Sequence, residues 1–106
     1  MNYRIQLSDK SERDIRDIYE YISNTLLAPL NAVTVFNRIT EAILSLRTMP
    51  ERHKIYKTGS NGEKIRFLVS GNHIIYYWID ESALQVNVIR VLYGGMDIEK
   101  ELNSLV

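Results

Sequence analysis

Apolar residues near the start of the chain follow two successive periods. In "YRIQL", Tyr3, Ile5 and Leu7 alternate with polar residues, which is the period of a β-strand with one buried face. After Ser8, a residue type favoured at helix N-caps, the apolar positions in "DKSERDIRDIYEYISNTL" recur at helical spacing. The pattern therefore predicts a first strand and then a long amphipathic helix over residues 9–26.

A second helix is predicted over residues 31–47. The stretch "LLAPLNA" interrupts the first helical pattern at Pro29 and is short enough to join two antiparallel helices, with Asn31 expected to cap the second. The second helix carries a broad apolar stripe made of Val35, Phe36, Ile39, Ala42, Ile43 and Leu46. Pro50 stops this pattern, and the apolar faces of the resulting helical hairpin need a cover.

The second half of the chain predicts that cover to be a sheet. "HKIYK" and "EKIRFLV" flank "TGSNG", a loop rich in residues that tolerate positive φ, so a hairpin is expected. "SGN" and "DESA" then introduce two more strand-like runs, "HIIYYWI" and "LQVNVIRVLY". After Gly94 and Gly95, "DIEKELNSL" predicts a short final helix with Asp97 at its cap.

This order of elements predicts the α+β class and one domain over residues 1–106. We expect an N-terminal strand, a helical hairpin packed on one face of an antiparallel sheet of three to four strands, and a short C-terminal helix. The first strand is expected to pair with the last strand or one near it. With 45% hydrophobic and 25% charged residues, the composition is that of an ordinary globular protein.

Composition also limits the chemistry. The chain has no cysteine, which excludes disulfides and thiolate metal sites. Its two histidines, His53 and His73, have no carboxylate at ligand spacing, so neither a metal nor another cofactor is expected. No apolar run reaches the length of a signal peptide or a membrane span, which predicts a cytoplasmic protein without a membrane partner.

The positive charge is concentrated in one segment. The formal net charge is +0, which argues against a protein whose affinity rests mainly on nucleic-acid phosphates. Residues 52–66 nevertheless hold five of the 13 basic residues and one of the 13 acidic residues. This basic hairpin comprises Arg52, Lys54, Lys57, Lys64 and Arg66, with His53 beside them. It is either a solvated rim or a contact surface.

Several motifs in this order resemble the RelE/ParE superfamily, the toxin halves of bacterial type II toxin-antitoxin pairs. They are "DIRDIYEYI", the residues Ala32, Ile39, Ile43, Leu46, Pro50 and Arg66, and the runs "HIIYYWID" and "VIRVLYGGMD". The long helical hairpin and the ending "RVLYGGMD" look more like the ParE branch, whose members are associated with inhibition of DNA gyrase. The RelE branch cleaves messenger RNA on the ribosome, so the fold alone does not fix the activity.

The resemblance implies a toxin that inhibits growth by binding a protein target such as DNA gyrase. It also implies a cognate antitoxin, whose acidic or amphipathic C-terminal region would cover the basic hairpin. The residues expected to bind the target are Arg66, Arg90 and Tyr93, and those expected to bind the antitoxin are Arg52, Lys54, Lys57, Tyr76 and Trp78. Sequence-specific DNA binding is not expected, because the chain has no helix-turn-helix pattern.

Three of these positions have alternative interpretations. Arg90 shares a strand face with Val88 and Leu92, so its charge requires compensation: it is either held by a carboxylate or backbone carbonyls, or it is a site residue. Tyr76, Tyr77 and Trp78 follow one another in a single strand, so their side chains must point to both faces of the sheet. The aromatic residues that point away from the helices either pack in a core or anchor the antitoxin.

A ribosome-dependent ribonuclease is the enzymatic alternative. Metal-free RNA cleavage needs clustered groups that move protons and stabilise charge on phosphate, and the candidates are Lys64, Arg66, His73 and Arg90. Lys64 and Arg66 share a strand face, which is alternatively a polar outer face. The later arginine of the ribonuclease branch falls here in "GGM" and its tyrosine in "EKEL", which weighs against cleavage. An inactive relative that only binds antitoxin is a third possibility.

Overall fold

The computed structural model describes residues 2–95 of the chain. Strand β1 spans Arg4–Leu7 and helix α1 spans Asp9–Glu20. Ser8 caps α1, because its Oγ accepts a hydrogen bond of 3.0 Å from the Ser11 amide. The predicted final helix and its Asp97 cap lie outside the described residues.

The helical hairpin is present, with two differences at its turn. Helix α1 is followed by a π-helical turn, Tyr21–Thr25, and α2 spans Pro29–Ser45. The prediction that Asn31 caps α2 is wrong, because Ala28 occupies the N-cap and Pro29 forms the first turn. Proline suits that position, since its fixed φ is helical and the first helical N–H has no partner inside the helix.

Four strands follow a 3₁₀ turn at Pro50–Arg52. They are β2 (Ile55–Thr58), β3 (Lys64–Ser70), β4 (His73–Asp80) and β5 (Gln85–Tyr93). The sheet order is β1-β5-β4-β3-β2, and β2 to β5 form an antiparallel meander. Strand β1 joins β5 in parallel, so the five-stranded sheet is mixed. The helical hairpin supplies part of the long connection that a parallel pair requires.

The helices cover one face of this sheet, as predicted for the α+β fold. The main core cluster combines Ile39 and Ile43 of α2 and its C-cap residue Leu46 with residues of β4 and β5, namely Ile75, Tyr77, Val86, Val88 and Val91. A second cluster contains only strand residues and is centred on Ile65, Tyr76 and Leu92. Successive residues of β4 therefore serve different clusters, as the period of a strand requires. Neither helix within residues 2–95 has the length and apolar character needed to cross a membrane.

Candidate partner-binding surfaces

Two side chains of the sheet hold the backbone that leads from α2 to β2. Arg66 Nη1 donates to the carbonyl oxygens of Glu51 at 3.0 Å and His53 at 2.7 Å. The Tyr77 hydroxyl donates to the carbonyl oxygen of Pro50 at 2.6 Å. Burial raises the pKa of Tyr77 to about 12, so this donor keeps its proton at neutral pH. Arg66 thus has a structural task besides any contact with a target.

Arg66 lies on the face of the sheet that the helices cover, although its charge suggests the outer face. It is opposite Tyr77 in the β3–β4 register, and Tyr77 belongs to the core cluster under α2. Paired residues of neighbouring strands share a sheet face. The alternative of a polar outer face for Lys64 and Arg66 is therefore wrong, because Arg66 faces the helical side at the end of α2.

Arg52 also stabilises the backbone that leads from α2 to β2. Its guanidinium donates to the carbonyl oxygens of Ser45, Thr48 and Met49, at the end of α2 and just beyond it. The Ser45 carbonyl belongs to the last turn of α2, where C=O groups lack helical partners and a nearby cation is favourable. Arg52 remains exposed, so its charge still reaches the surface.

The basic hairpin keeps an accessible positive surface beyond these bonds. Lys54 and Lys64 are exposed, and Lys57 is partly buried. The His53 ring packs edge-on against Tyr77 with ring centroids 6.4 Å apart, and within residues 2–95 its buried Nε2 has no hydrogen-bond partner. Burial lowers the pKa of His53, and the nearby Arg52 and Arg66 lower it further. Burial and the two neighbouring cations therefore both disfavour the protonated form of His53.

Arg90 is held by a carboxylate from α1. Its Nε and Nη2 donate to the two oxygens of Asp14 at 2.7 and 2.9 Å, a bidentate arrangement. Asp14 also accepts the backbone N–H of Val91 at 3.0 Å. The side chains of Arg90 and Asp14 are only 11% and 13% exposed. Of the two alternatives for Arg90, the structure contains the internally held arginine, which joins α1 to β5.

His73 and Tyr93 lie together at the opposite end of the sheet from Lys64. They are opposite each other in the β4–β5 register, with ring centroids 6.1 Å apart. Tyr93 is 53% exposed, whereas His73 is partly buried and its burial lowers its pKa. Tyr93 is therefore the most accessible of the three predicted target contacts.

The four candidate groups for RNA cleavage do not share a site. The residue opposite Arg66 on β4 is Tyr77, whereas His73 lies four residues away along the strand, a separation of about 13 Å. The guanidinium of Arg90 forms an ion pair with the carboxylate of Asp14 on α1. Lys64 and Arg66 lie together in the basic hairpin, and His73 lies apart from both.

The two aromatic candidates for antitoxin binding differ in exposure. Tyr76 is 2% exposed and packs edge-on against Tyr56, with ring centroids 5.5 Å apart. Trp78 is partly buried and lies opposite Asn87 in the register of β4 and β5. Trp78 therefore retains surface, whereas Tyr76 is a core residue of the strand-only cluster.

An apolar groove on the helices escaped the sequence prediction. Two adjoining depressions of roughly 470 and 340 Å³ share Glu12, Ile15 and Phe36. One extends to Tyr19, whose ring meets Phe36 edge-on at 6.2 Å, and the other extends to Leu44. The signal in the sequence is a second apolar stripe on α2, made of Val33, Phe36 and Leu44, beside the buried one. We call this surface the helical groove.

No metal site accompanies these surfaces within residues 2–95. No three side chains of the metal-binding types His, Cys, Asp and Glu lie close enough there to share an ion. What the described surfaces offer is apolar area on the helices and positive charge on the hairpin.

Comparisons with known proteins agree with this architecture. A ParDE toxin-antitoxin system of P. aeruginosa superposes with a TM-score of 0.71 at 14% identity, over 86% of this chain and 95% of that chain. A RelBE toxin-antitoxin complex of Mycobacterium tuberculosis gives 0.60 at 19% identity, over 88% and 92% of the two chains. Free E. coli RelE, a double mutant, gives 0.61 at 14% identity, over 100% of both chains. Identities this low establish the fold alone.

A family model decides the membership. Comparison with curated protein sequences gives no match. The model of the ParE toxin of the type II toxin-antitoxin system parDE, however, matches residues 5–98, which is most of the chain. With the mixed sheet and helical hairpin of the RelE/ParE fold, this match places the chain in the ParE toxin family of type II toxin-antitoxin systems.

Proposed function

We propose that this toxin stops growth by binding a protein target in the cytoplasm, and that the target is DNA gyrase, as the resemblance to the ParE branch implies. The observation that carries the proposal is that His73 lies apart from Lys64 and Arg66, while Arg90 is held by Asp14. General acid-base catalysis needs its groups within hydrogen-bond reach of one substrate. A separation of about 13 Å between the rows of Arg66 and His73 does not provide that reach. The geometry therefore favours a toxin that acts by binding.

The three predicted target contacts take different parts in this proposal. Tyr93 is the direct contact, because its ring is exposed at the end of β5. Arg66 and Arg90 act as positioning residues, since one fixes the backbone before β2 and the other fixes β5 against α1. The exposed Lys54 and Lys64 add positive charge that steers association with an acidic surface.

A supercoiling assay with purified toxin, gyrase, relaxed plasmid and ATP tests this proposal. Inhibition is expected with the wild type, and Tyr93→Ala should raise the half-inhibitory concentration about tenfold, since an exposed aromatic contact is lost. Tyr21→Ala is the matched control, because Tyr21 is 56% exposed but lies in the π-helical turn after α1. Complete supercoiling at a large molar excess of wild-type toxin would rule out gyrase.

We propose that the cognate antitoxin covers two surfaces, and the structural similarity to toxin-antitoxin complexes supports such a partner. An amphipathic helix of the antitoxin would place apolar side chains in the helical groove, against Tyr19, Phe36 and Leu44. An acidic stretch would then lie along the basic hairpin. This arrangement keeps Arg52, Lys54, Lys57 and Trp78 as antitoxin contacts and gives Tyr76 a packing role.

Calorimetry with the antitoxin encoded beside the toxin gene tests the groove. Phe36→Ala should weaken binding about thirtyfold, the effect of removing a buried aromatic anchor. Leu30→Ala is the control on the same helix, since Leu30 is exposed and does not line the groove. Equal affinities of the two variants would exclude the helical groove as the antitoxin site.

A further inference from the structure

A polar cleft of about 250 Å³ lies between the first half of α2 and the turn that joins β3 to β4. It is separate from the helical groove and from the basic hairpin. Its lining residues are Asn31, Val35, Arg38, Ser70, Gly71, Asn72 and His73. None of them is acidic, so the charge of Arg38 has no counter-ion in the cleft.

Local structure explains why these donors converge. Asn31, Val35 and Arg38 are four and three residues apart on α2, so they share one helix face. Opposite them, Gly71 has a φ of +58°, which allows a two-residue turn between β3 and β4. That turn brings Ser70 and His73 into register as neighbours.

Within the described part of the chain, the side-chain donors of the cleft have no internal acceptors. Among residues 2–95, the side chains of Asn31, Arg38, Ser70 and Asn72 make no hydrogen bond or ion pair, and His73 makes only the ring contact with Tyr93. The guanidiniums of Arg52, Arg66 and Arg90, in contrast, all have internal acceptors. Arg38 thus lines the cleft with a guanidinium that has no acceptor among residues 2–95.

We propose that this cleft binds a phosphate group. A guanidinium offers paired N–H donors that match two phosphate oxygens, and the hydroxyl, amide and imidazole groups supply donors for the others. The volume of about 250 Å³ lies below the 300–1,000 Å³ usual for whole small-molecule ligands, which suits a phosphate group better than a complete nucleotide. In this site His73 donates a hydrogen bond to a phosphate oxygen. A role in binding, and not in catalysis, then explains why His73 lies apart from Lys64 and Arg66.

This inference does not depend on gyrase being the target. The phosphate has two possible sources, inorganic phosphate and the terminal phosphate of a nucleic acid, and both present the same oxyanion to Arg38. An exposed arginine can be replaced without disturbing the core, so the site can be tested in the folded protein.

Titration of ¹⁵N-labelled protein with sodium phosphate, at constant ionic strength adjusted with chloride, tests the proposal. Saturable amide shifts should be confined to residues 31–38 and 70–73. Arg38→Gln should weaken the fitted affinity at least about tenfold, since it removes a charged donor pair. Arg13→Gln, at an exposed position of α1 outside the cleft, should leave the affinity unchanged.

A second arm compares dinucleotides with a 5′-phosphate and a 5′-hydroxyl. Tighter binding of the phosphorylated dinucleotide than of inorganic phosphate identifies a nucleic-acid end as the source, and equal binding identifies the free ion. His73→Asn gives an independent variant and should also weaken binding. The proposal is overturned by shifts that do not saturate, by shifts that spread equally to Lys54 and Lys64, or by an unchanged affinity in Arg38→Gln.

Discussion

The region around Arg66 and the region around Arg90 each place an arginine in the sheet, but they satisfy its charge differently. Arg66 donates to neutral carbonyls and has no ion pair within residues 2–95. Arg90 is held by both oxygens of Asp14 in a largely buried fork. Both arginines have the same predicted role in target binding, yet only the first region keeps a net positive charge. Whether a basic residue in a strand indicates a contact surface therefore depends on which internal acceptors bind it.

The largest expected difference between the two regions comes from Asp14→Ala. The substitution leaves Arg90 without its counter-ion and Val91 N–H without an acceptor, so it should reduce the free energy of unfolding by about 3 kcal/mol. Urea unfolding measures this. Asp17→Ala, at an exposed position of the same helix, is the control and should change stability by about 0.5 kcal/mol or less. A loss as small as the control's would show that the fork is not stabilising.

On the Arg66 side, Tyr77→Phe should have an intermediate effect. It removes the donor to the Pro50 carbonyl and leaves that oxygen unpaired, at a loss of about 1.5 kcal/mol. Amide hydrogen exchange should speed up around residues 48–54 before the rest of the protein is affected. The matched change Tyr21→Phe, at an exposed tyrosine, should alter neither quantity.

Arg66→Lys separates the charge of Arg66 from its geometry. Lysine keeps the positive charge but cannot place a guanidinium N–H between the Glu51 and His53 carbonyls, so stability should fall by about 1 kcal/mol. Gyrase inhibition should change less than with Arg66→Ala, because the charge at the surface is retained. Identical inhibition by the two variants would contradict a role for that charge.

The smallest predicted effect is a pH dependence, to which His53 beside Arg66 and His73 beside Tyr93 both contribute. Burial lowers the pKa of His53 and of His73 below the ordinary value of 6.5, so the unfolded chain binds more protons than the folded one as the pH falls through 6.5. Stability should therefore be full above that pH and decrease below it, as urea midpoints at pH 7.5, 6.5 and 5.5 would measure. The double variant His53→Gln and His73→Asn should remove most of this slope. A midpoint that rises towards pH 5.5 would contradict the assignment.

Local periodicity predicted most of the fold. The alternation in β1, the two helical patterns and the strand runs all correspond to elements, and the pairing of the first strand with the last is confirmed. The start of α2 at Pro29 and the π-helical turn before it were not predicted, because they depend on how the two helices meet. The parallel direction of β1 was missed for a related reason, since the crossover through the helices permits either direction.

The candidate site was less accessible to sequence reasoning. Arg90 and Asp14 are 76 positions apart, and no local pattern tells which carboxylate reaches a strand arginine. The carbonyls that hold Arg66 belong to residues of any type, so they leave no sequence signal at all. The helical groove did leave a signal in the sequence, namely the second apolar stripe of α2 with Phe36. Because this stripe lies beside the core face of the helix, it is easily taken as part of that face.

Mapping messenger-RNA 5′ ends in cells after toxin induction tests the central claim, that this toxin binds its target without cleaving RNA. Growth arrest is expected with 5′ ends unchanged from uninduced cells, and growth should recover in the Tyr93→Ala variant but not in Tyr21→Ala. New 5′ ends at ribosomal A sites that disappear in Lys64→Ala or His73→Ala would contradict it, because they would require these separated groups to act on one substrate.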